Sequence, residues 1–144
     1  MSRNAAYDLT PFEGLITIAA GFTPTANIHD PESSYAAYYF LPEVGPSAFL
    51  AWTHLVAWLP PTDETPINID YDELAWSLGT SPGRLTRALQ RLASFHFAYT
   101  LPTEPHTLYL RRRAATLSTV QLARLAKKCP TLAAAHEELL ATAI

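Results

Sequence analysis

The sequence predicts one mainly α-helical domain that carries a small β-hairpin. Three observations predict it. Twelve prolines stand against five glycines, a balance that suits helix starts and rigid turns better than a β-rich domain with many positive-φ corners. Apolar residues recur at i, i+3, i+4 and i+7 through residues 74 to 92, the spacing of a buried helix face. Residues 95 to 113 instead alternate, as paired strands do. With 144 residues, 49% of them hydrophobic and 16% charged, the chain can bury one core but is too short for two ordinary domains and too apolar for disorder. Residues 1–45 then form an N-terminal extension, 46–113 the central unit and 114–144 C-terminal helices.

Residues 1 to 32 are the least legible. GLITIAAGF (14 to 22) fits a strand or a short buried helix, and the turn-rich TPTANIHDPE follows. Ser33 and Ser34 offer N-caps for a short helix through Tyr35, Tyr38, Tyr39 and Leu41 that ends before Pro42. Pro46 at a first helical position and Pro60 beyond the end bracket a core helix over about 46 to 59, with Phe49, Trp52, Leu55, Val56 and Leu59 as its apolar stripe. PINI (66 to 69) reads as a short strand. Asp70 then caps a helix over Tyr71 to Leu78, with Asp72 and Glu73 complementing the dipole of its first turn. Gly79 supplies the exit, and Ser81 with Pro82 opens a helix that runs to about Phe95. FHFAYTL (95 to 101) and TLYLRRR (107 to 113), separated by PTEPH, make the hairpin. Two helices close the chain, Ser118 to about Lys128 and, beyond Pro130, about Thr131 to Thr142.

The segment ELAWSLGTSPGRLTRALQRLASFHFAY (73 to 99), set between a short strand and a hairpin, resembles the winged helix-turn-helix family of DNA-binding proteins. Leu74, Ala75 and Leu78 face the core from the first helix, and Leu85, Ala88, Leu89 and Leu92 from the second. That leaves Gly83, Arg84, Thr86, Arg87, Gln90 and Arg91 on the second helix's outer face. Arginine can hold guanine or phosphate bidentately, glutamine can pair with adenine, and Gly83 permits close approach of the backbone. The resemblance implies base contacts from Arg84, Arg87 and Gln90, and phosphate contacts from Ser81 and Thr86. It also implies a wing whose outer face carries Tyr109, Arg111 and Arg113 while Leu108 and Leu110 pack inward. The wing's tip departs from the family pattern, with Glu104 and two prolines where lysine or arginine is common, so its contact is restricted to the base, through Arg111 to Arg113, or absent. LPEVGPSAFLAW and LARLAKK also resemble small actinobacterial and phage proteins built on such a fold, a likeness that implies no activity.

Charge is segregated. Ten acidic residues and one basic residue precede position 84, whereas nine basic and three acidic residues follow from Arg84 on. A basic patch on an acidic body can hold a phosphate backbone on one face while the rest repels it. The five histidines (29, 54, 96, 106 and 136) and the single Cys129 lack metal-ligand spacing, so no metal or cofactor is expected. No P-loop, no G-x-S-x-G and no isolated carboxylate pair suggests an enzyme. Tyr35, Tyr38, Tyr39, Trp52 and Trp58 are expected in the core. The N-terminus lacks a signal pattern and the longest apolar run, Ala48 to Leu59, is too short to span a bilayer, so a cytoplasmic protein without membrane contact is expected. The expected function is sequence-specific binding of double-stranded DNA, as a transcriptional regulator and a homodimer. The alternative is a protein-interaction adaptor on the same scaffold.

Overall fold

The computed structural model of the protein describes residues 9, 11–22, 28–59 and 66–142. Its central feature is a four-stranded mixed sheet. β1 (Leu15–Ala20) lies between β3 (Ile67–Asp70) and β5 (Glu104–Leu110), and β4 (Ala98–Leu101) pairs with the far side of β5. β1 runs antiparallel to β3 and parallel to β5. A second, two-stranded sheet joins β2 (Ile28–His29) to β6 (Ala114–Ala115). The expectation of a mainly α domain with a small hairpin is therefore wrong, and the protein is a mixed α/β structure. The error lies in GLITIAAGF, an apolar run whose period does not separate strand from helix and whose parallel partner lies some ninety residues away.

Register explains why this sheet forms. Ile16 and Ile18 are buried in β1 and pair with Ile69 and Ile67 on one side. On the other side Ile18 pairs with Leu108, and Ala20 with Leu110, which in turn faces the buried Ala98. One face of all four strands is thus a single apolar row, as a side-chain period of two requires. The opposite face is polar and aromatic, with Thr17 Oγ1 donating to Asn68 Oδ1 at 2.7 Å and Tyr99 stacked on Tyr109 at 5.2 Å. Just past β1, Gly21 is required, because a Cβ there would lie 2.8 Å from the Tyr99 ring.

The helices pack on the apolar face. The chain from Ser34 to Val44 is one continuous helical stretch, π-helical over Ala36–Phe40 and then α1 (Leu41–Val44). It does not end before Pro42 as expected. Proline has no N–H to give and crowds the carbonyl four residues back, and the wider π turn accommodates both defects without stopping the helix. α2 (Pro46–Trp58) buries Ala48, Ala51, Trp52 and Leu55. Pro60 and Pro61, read as its stop, lie outside the described residues, as do Arg3 and the start of TPTANIHDPE. Phe40, Trp52 and Phe97 form a triad of edge-on rings, 4.7 to 5.9 Å apart. At its centre the Trp52 indole is fully buried and donates from Nε1 to the Arg111 carbonyl at 2.8 Å, so helix and sheet share one polar tie.

The C-terminal pair, α5 (Thr119–Lys128) and α6 (Pro130–Thr142), begins with a complete capping box in which Ser118 and Gln121 satisfy each other's backbone N–H. His136 of α6 is fully buried against the N-terminal half. Tyr35 OH accepts from the Leu117 N–H at 3.0 Å and shares a hydrogen bond with His136 Nε2 at 2.5 Å. The other ring nitrogen, Nδ1, is buried and without a partner among the described residues. His29 stacks on the same tyrosine at 3.7 Å and shares a hydrogen bond with Thr116.

Ile18→Ala should cost about 2 to 5 kcal/mol in denaturant unfolding, whereas Leu15→Ala, at a site 68% exposed, should stay within about 0.5 kcal/mol. Burial, and for His29 also the neighbouring His136, holds both histidines below the usual imidazole pKa of 6.5. The unfolded chain therefore takes up protons first as pH falls. Stability is full above about pH 6.5 and declines below it. The His29→Gln/His136→Gln variant should lose stability less steeply than wild type in thermal melts between pH 7 and pH 5.

Candidate nucleic-acid interface

α3 (Tyr71–Ser77) and α4 (Pro82–Ser94) are the two helices of the predicted pair. Local signals fix both. Asp70 ends β3 and caps α3, its carboxylate accepting from the Asp72 N–H at 3.1 Å. α3 stops in a Schellman turn, with Thr80 N–H on the Ala75 carbonyl and Gly79 N–H on that of Trp76. Gly79 takes the left-handed position there, at φ +70°. Ser81 then caps α4 by accepting from the Arg84 N–H, with Pro82 in the first turn. α4 buries Leu85, Ala88, Leu89, Leu92 and Ala93.

The outer residues of α4 divide into two groups. Thr86 Oγ1 donates to the Pro82 carbonyl at 2.9 Å and meets Tyr71 OH at 2.8 Å, so it ties the two helices together. Gln90 donates to the Leu9 carbonyl at 3.0 Å, binding the N-terminal segment to the edge of α4. Arg91 reaches the carbonyls of Val44 and Glu43 at 2.5 and 3.1 Å and so closes the C-terminal end of α1. These three are employed by the fold. Gln90, expected at a base edge, is the largest departure.

Ser81, Gly83, Arg84 and Arg87 form the second group. All four are exposed, and neither guanidinium makes a hydrogen bond or ion pair with another described residue. A Cβ added at Gly83 would meet nothing within 4 Å. Arg84 and Arg87, with Arg91, border a groove of about 580 Å³ whose other wall includes Ser47 and Ala48 of the first turn of α2. That turn has no side-chain cap, so its free N–H groups add to the positive potential of the groove. Leu50 and Leu78 supply apolar lining. α3 contributes an exposed indole, Trp76, with 83% of its surface open.

The hairpin is shorter than its sequence suggested, turning at Pro102–Thr103 so that Glu104 already belongs to β5. Its expected contact residues are held within the protein. Tyr109 OH donates to the Glu104 carboxylate, which pushes the phenol pKa up to about 12. Arg111 lies over the Tyr99 ring, 5.7 Å from its centroid. Arg113 pairs with Asp30 at 2.7 Å; both groups are over half exposed, so the pair contributes less than about 1 kcal/mol. In the sequence, none of these commitments is visible on the strand's own pattern. Among the described residues no three His, Cys, Asp or Glu side chains gather as a metal would need, and no helix is long and apolar enough to cross a membrane.

α4 ends in the same Schellman turn as α3, with Phe97 N–H on the Leu92 carbonyl and His96 N–H on that of Ala93. Here the left-handed residue is His96, at φ +66°. His96→Gly removes a backbone penalty of about 1 kcal/mol and should raise stability by up to that amount in thermal melts; a loss of stability would show that the imidazole's contacts outweigh the strain.

No protein-family model, curated protein or solved structure matches the chain significantly.

Proposed function

We propose that the chain binds double-stranded DNA in a sequence-specific manner, with the N-terminal half of α4 in the major groove, and that it serves as a transcriptional regulator. The observation that carries this reading is the pair Arg84 and Arg87. They are one helical turn apart, exposed and unpartnered among the described residues, while other arginines around them are bound within the fold. Keeping two guanidinia free on one helix face suits bidentate recognition of guanine and phosphate. Gly83 supports the same reading. The fold leaves room for a side chain there, and glycine costs helix stability relative to alanine, so its absent side chain suits a surface that approaches this turn. Arg87, nearer the middle of the helix, reads a base edge, and Arg84, in its first turn, grips the adjoining phosphate. A homodimer would pair two such helices on successive half-sites.

A second reading, a protein-interaction adaptor, is favoured by the exposed Trp76 beside the acidic first turn of α3. Salt separates the two. DNA binding through these arginines falls steeply as salt rises, and an adaptor does not bind duplex even at low salt.

Duplex fragments selected from a random pool provide the test, with affinity read by fluorescence anisotropy. Arg87→Ala should lose about 1 to 3 kcal/mol on the selected site and relax its preference at one base pair. Arg84→Ala should weaken all duplexes alike and reduce the salt slope by about 1. Gly83→Ala should stabilise the free protein by about 0.5 to 1 kcal/mol yet weaken the complex. Unchanged binding by the Arg84→Ala/Arg87→Ala variant would refute the assignment.

A further inference from the structure

A second concavity lies where the end of α4 and the turn into β4 face residues 114–118 and the start of α5. Its volume of about 410 Å³ is in the range of small-molecule sites. Phe40, Phe95 and Phe97 line it; Phe40 and Phe97 are buried and Phe95 is half-buried. Such walls suit a flat apolar ring.

Three ionised side chains border the same space: Glu43, Arg111 and Arg124. Glu43 and Arg124 neutralise each other through an ion pair of 2.7 Å. Arg111 rests over the Tyr99 ring but meets no carboxylate among the described residues, and its buried Nε has no acceptor. A guanidinium that lines an apolar concavity without an anionic partner favours a carboxylate there. His96 also lines the concavity. It holds a left-handed backbone position that glycine would fill without strain, so the fold accepts a penalty to place an imidazole there. Burial first, and the Arg111 charge second, lower the pKa of that imidazole, which keeps it neutral and leaves Arg111 as the one uncompensated charge of the lining.

We propose that this concavity is a binding site for a small aromatic monocarboxylate, with the ring against Phe40, Phe95 and Phe97 and the carboxylate on Arg111. The charge balance sets the valence. One uncompensated guanidinium matches one carboxylate, and a second anionic group would meet Glu43. The site is independent of the Arg84–Arg87 face and does not require that α4 reads DNA.

Benzoate and its neutral isostere benzamide are the probes, titrated into the full chain by calorimetry and followed by amide resonances of the wild-type protein. Benzoate should bind saturably with a Kd of about 1 mM or tighter, and benzamide about tenfold more weakly or not at all. The amides of His96, Phe97 and Leu117 should shift. Arg111→Met should weaken benzoate at least about tenfold, because the ties of residue 111 to Phe97 and Trp52 run through its backbone and survive the change. Arg84→Ala/Arg87→Ala should bind benzoate as wild type does. Equal binding of the two probes, no saturation by about 10 mM benzoate, or shifts confined to the groove beside Arg84 would each overturn the proposal. The wild-type resonance map decides the matter if Arg111→Met does not fold.

Discussion

The position of β1 between β3 and β5 is the constraint on which the rest of this molecule depends. Without it, β3 and the β4–β5 hairpin would be two short pieces with open edges and no common partner. With it, Ile67, Ile69, Ile16, Ile18, Leu108 and Leu110 become one surface on which the helices can pack. The helix pair inherits its placement from the same strand. Asp70 is both the last residue of β3 and the cap of α3, and the Tyr71 N–H donates to the Gly14 carbonyl at 2.8 Å, just ahead of β1. The exposed arginines of α4 are thus positioned, two elements removed, by hydrogen bonds at the start of the chain.

The same economy of hydrogen bonds decides which side chains remain available. Arg91 neutralises the carbonyl end of α1, Gln90 satisfies Leu9, and Thr86 links α4 to Tyr71. The first two offset the cost of leaving a backbone carbonyl unpaired, and the third that of leaving two hydroxyls so. Glu43 shows how far this goes. Its carboxylate holds Arg124 of α5 while its backbone carbonyl holds Arg91 of α4, so one residue of α1 joins two helices that are distant in sequence.

Legibility in the sequence followed the range of the interactions. The helix pair was readable because its signals are local: Asp70, Gly79 and the Ser81–Pro82 step act on residues two to five positions away. β1 was not, since a largely apolar run of nine residues can serve strand or buried helix and the deciding partners are Ile69 and Leu108. The continuation of helix through Pro42 was missed for a related reason, because a proline reads as a stop unless a π turn makes room. On the helical face itself, the wheel placed Arg84, Arg87, Gln90 and Arg91 on the outside correctly. It could not tell the free from the engaged, because the acceptors, Leu9 and Val44, lie 81 and 47 residues away. The segregation of charge was readable from composition, yet Arg113 and Arg124 meet Asp30 and Glu43 from the acidic half, so part of the segregation along the chain is cancelled in space.

The three tryptophans stand in three environments: Trp52 has no exposed surface, Trp58 has 37% and Trp76 has 83%. The consequence is optical. An aqueous quencher such as iodide reaches the indole of Trp76, reaches that of Trp58 in part and does not reach that of Trp52, so the emission of one unlabelled chain divides into a surface signal dominated by the helix pair and a core signal from the Phe40–Phe97 triad. Docking at α3 and α4 alters the first, loss of the core alters the second, and the two events can be followed in a single cuvette.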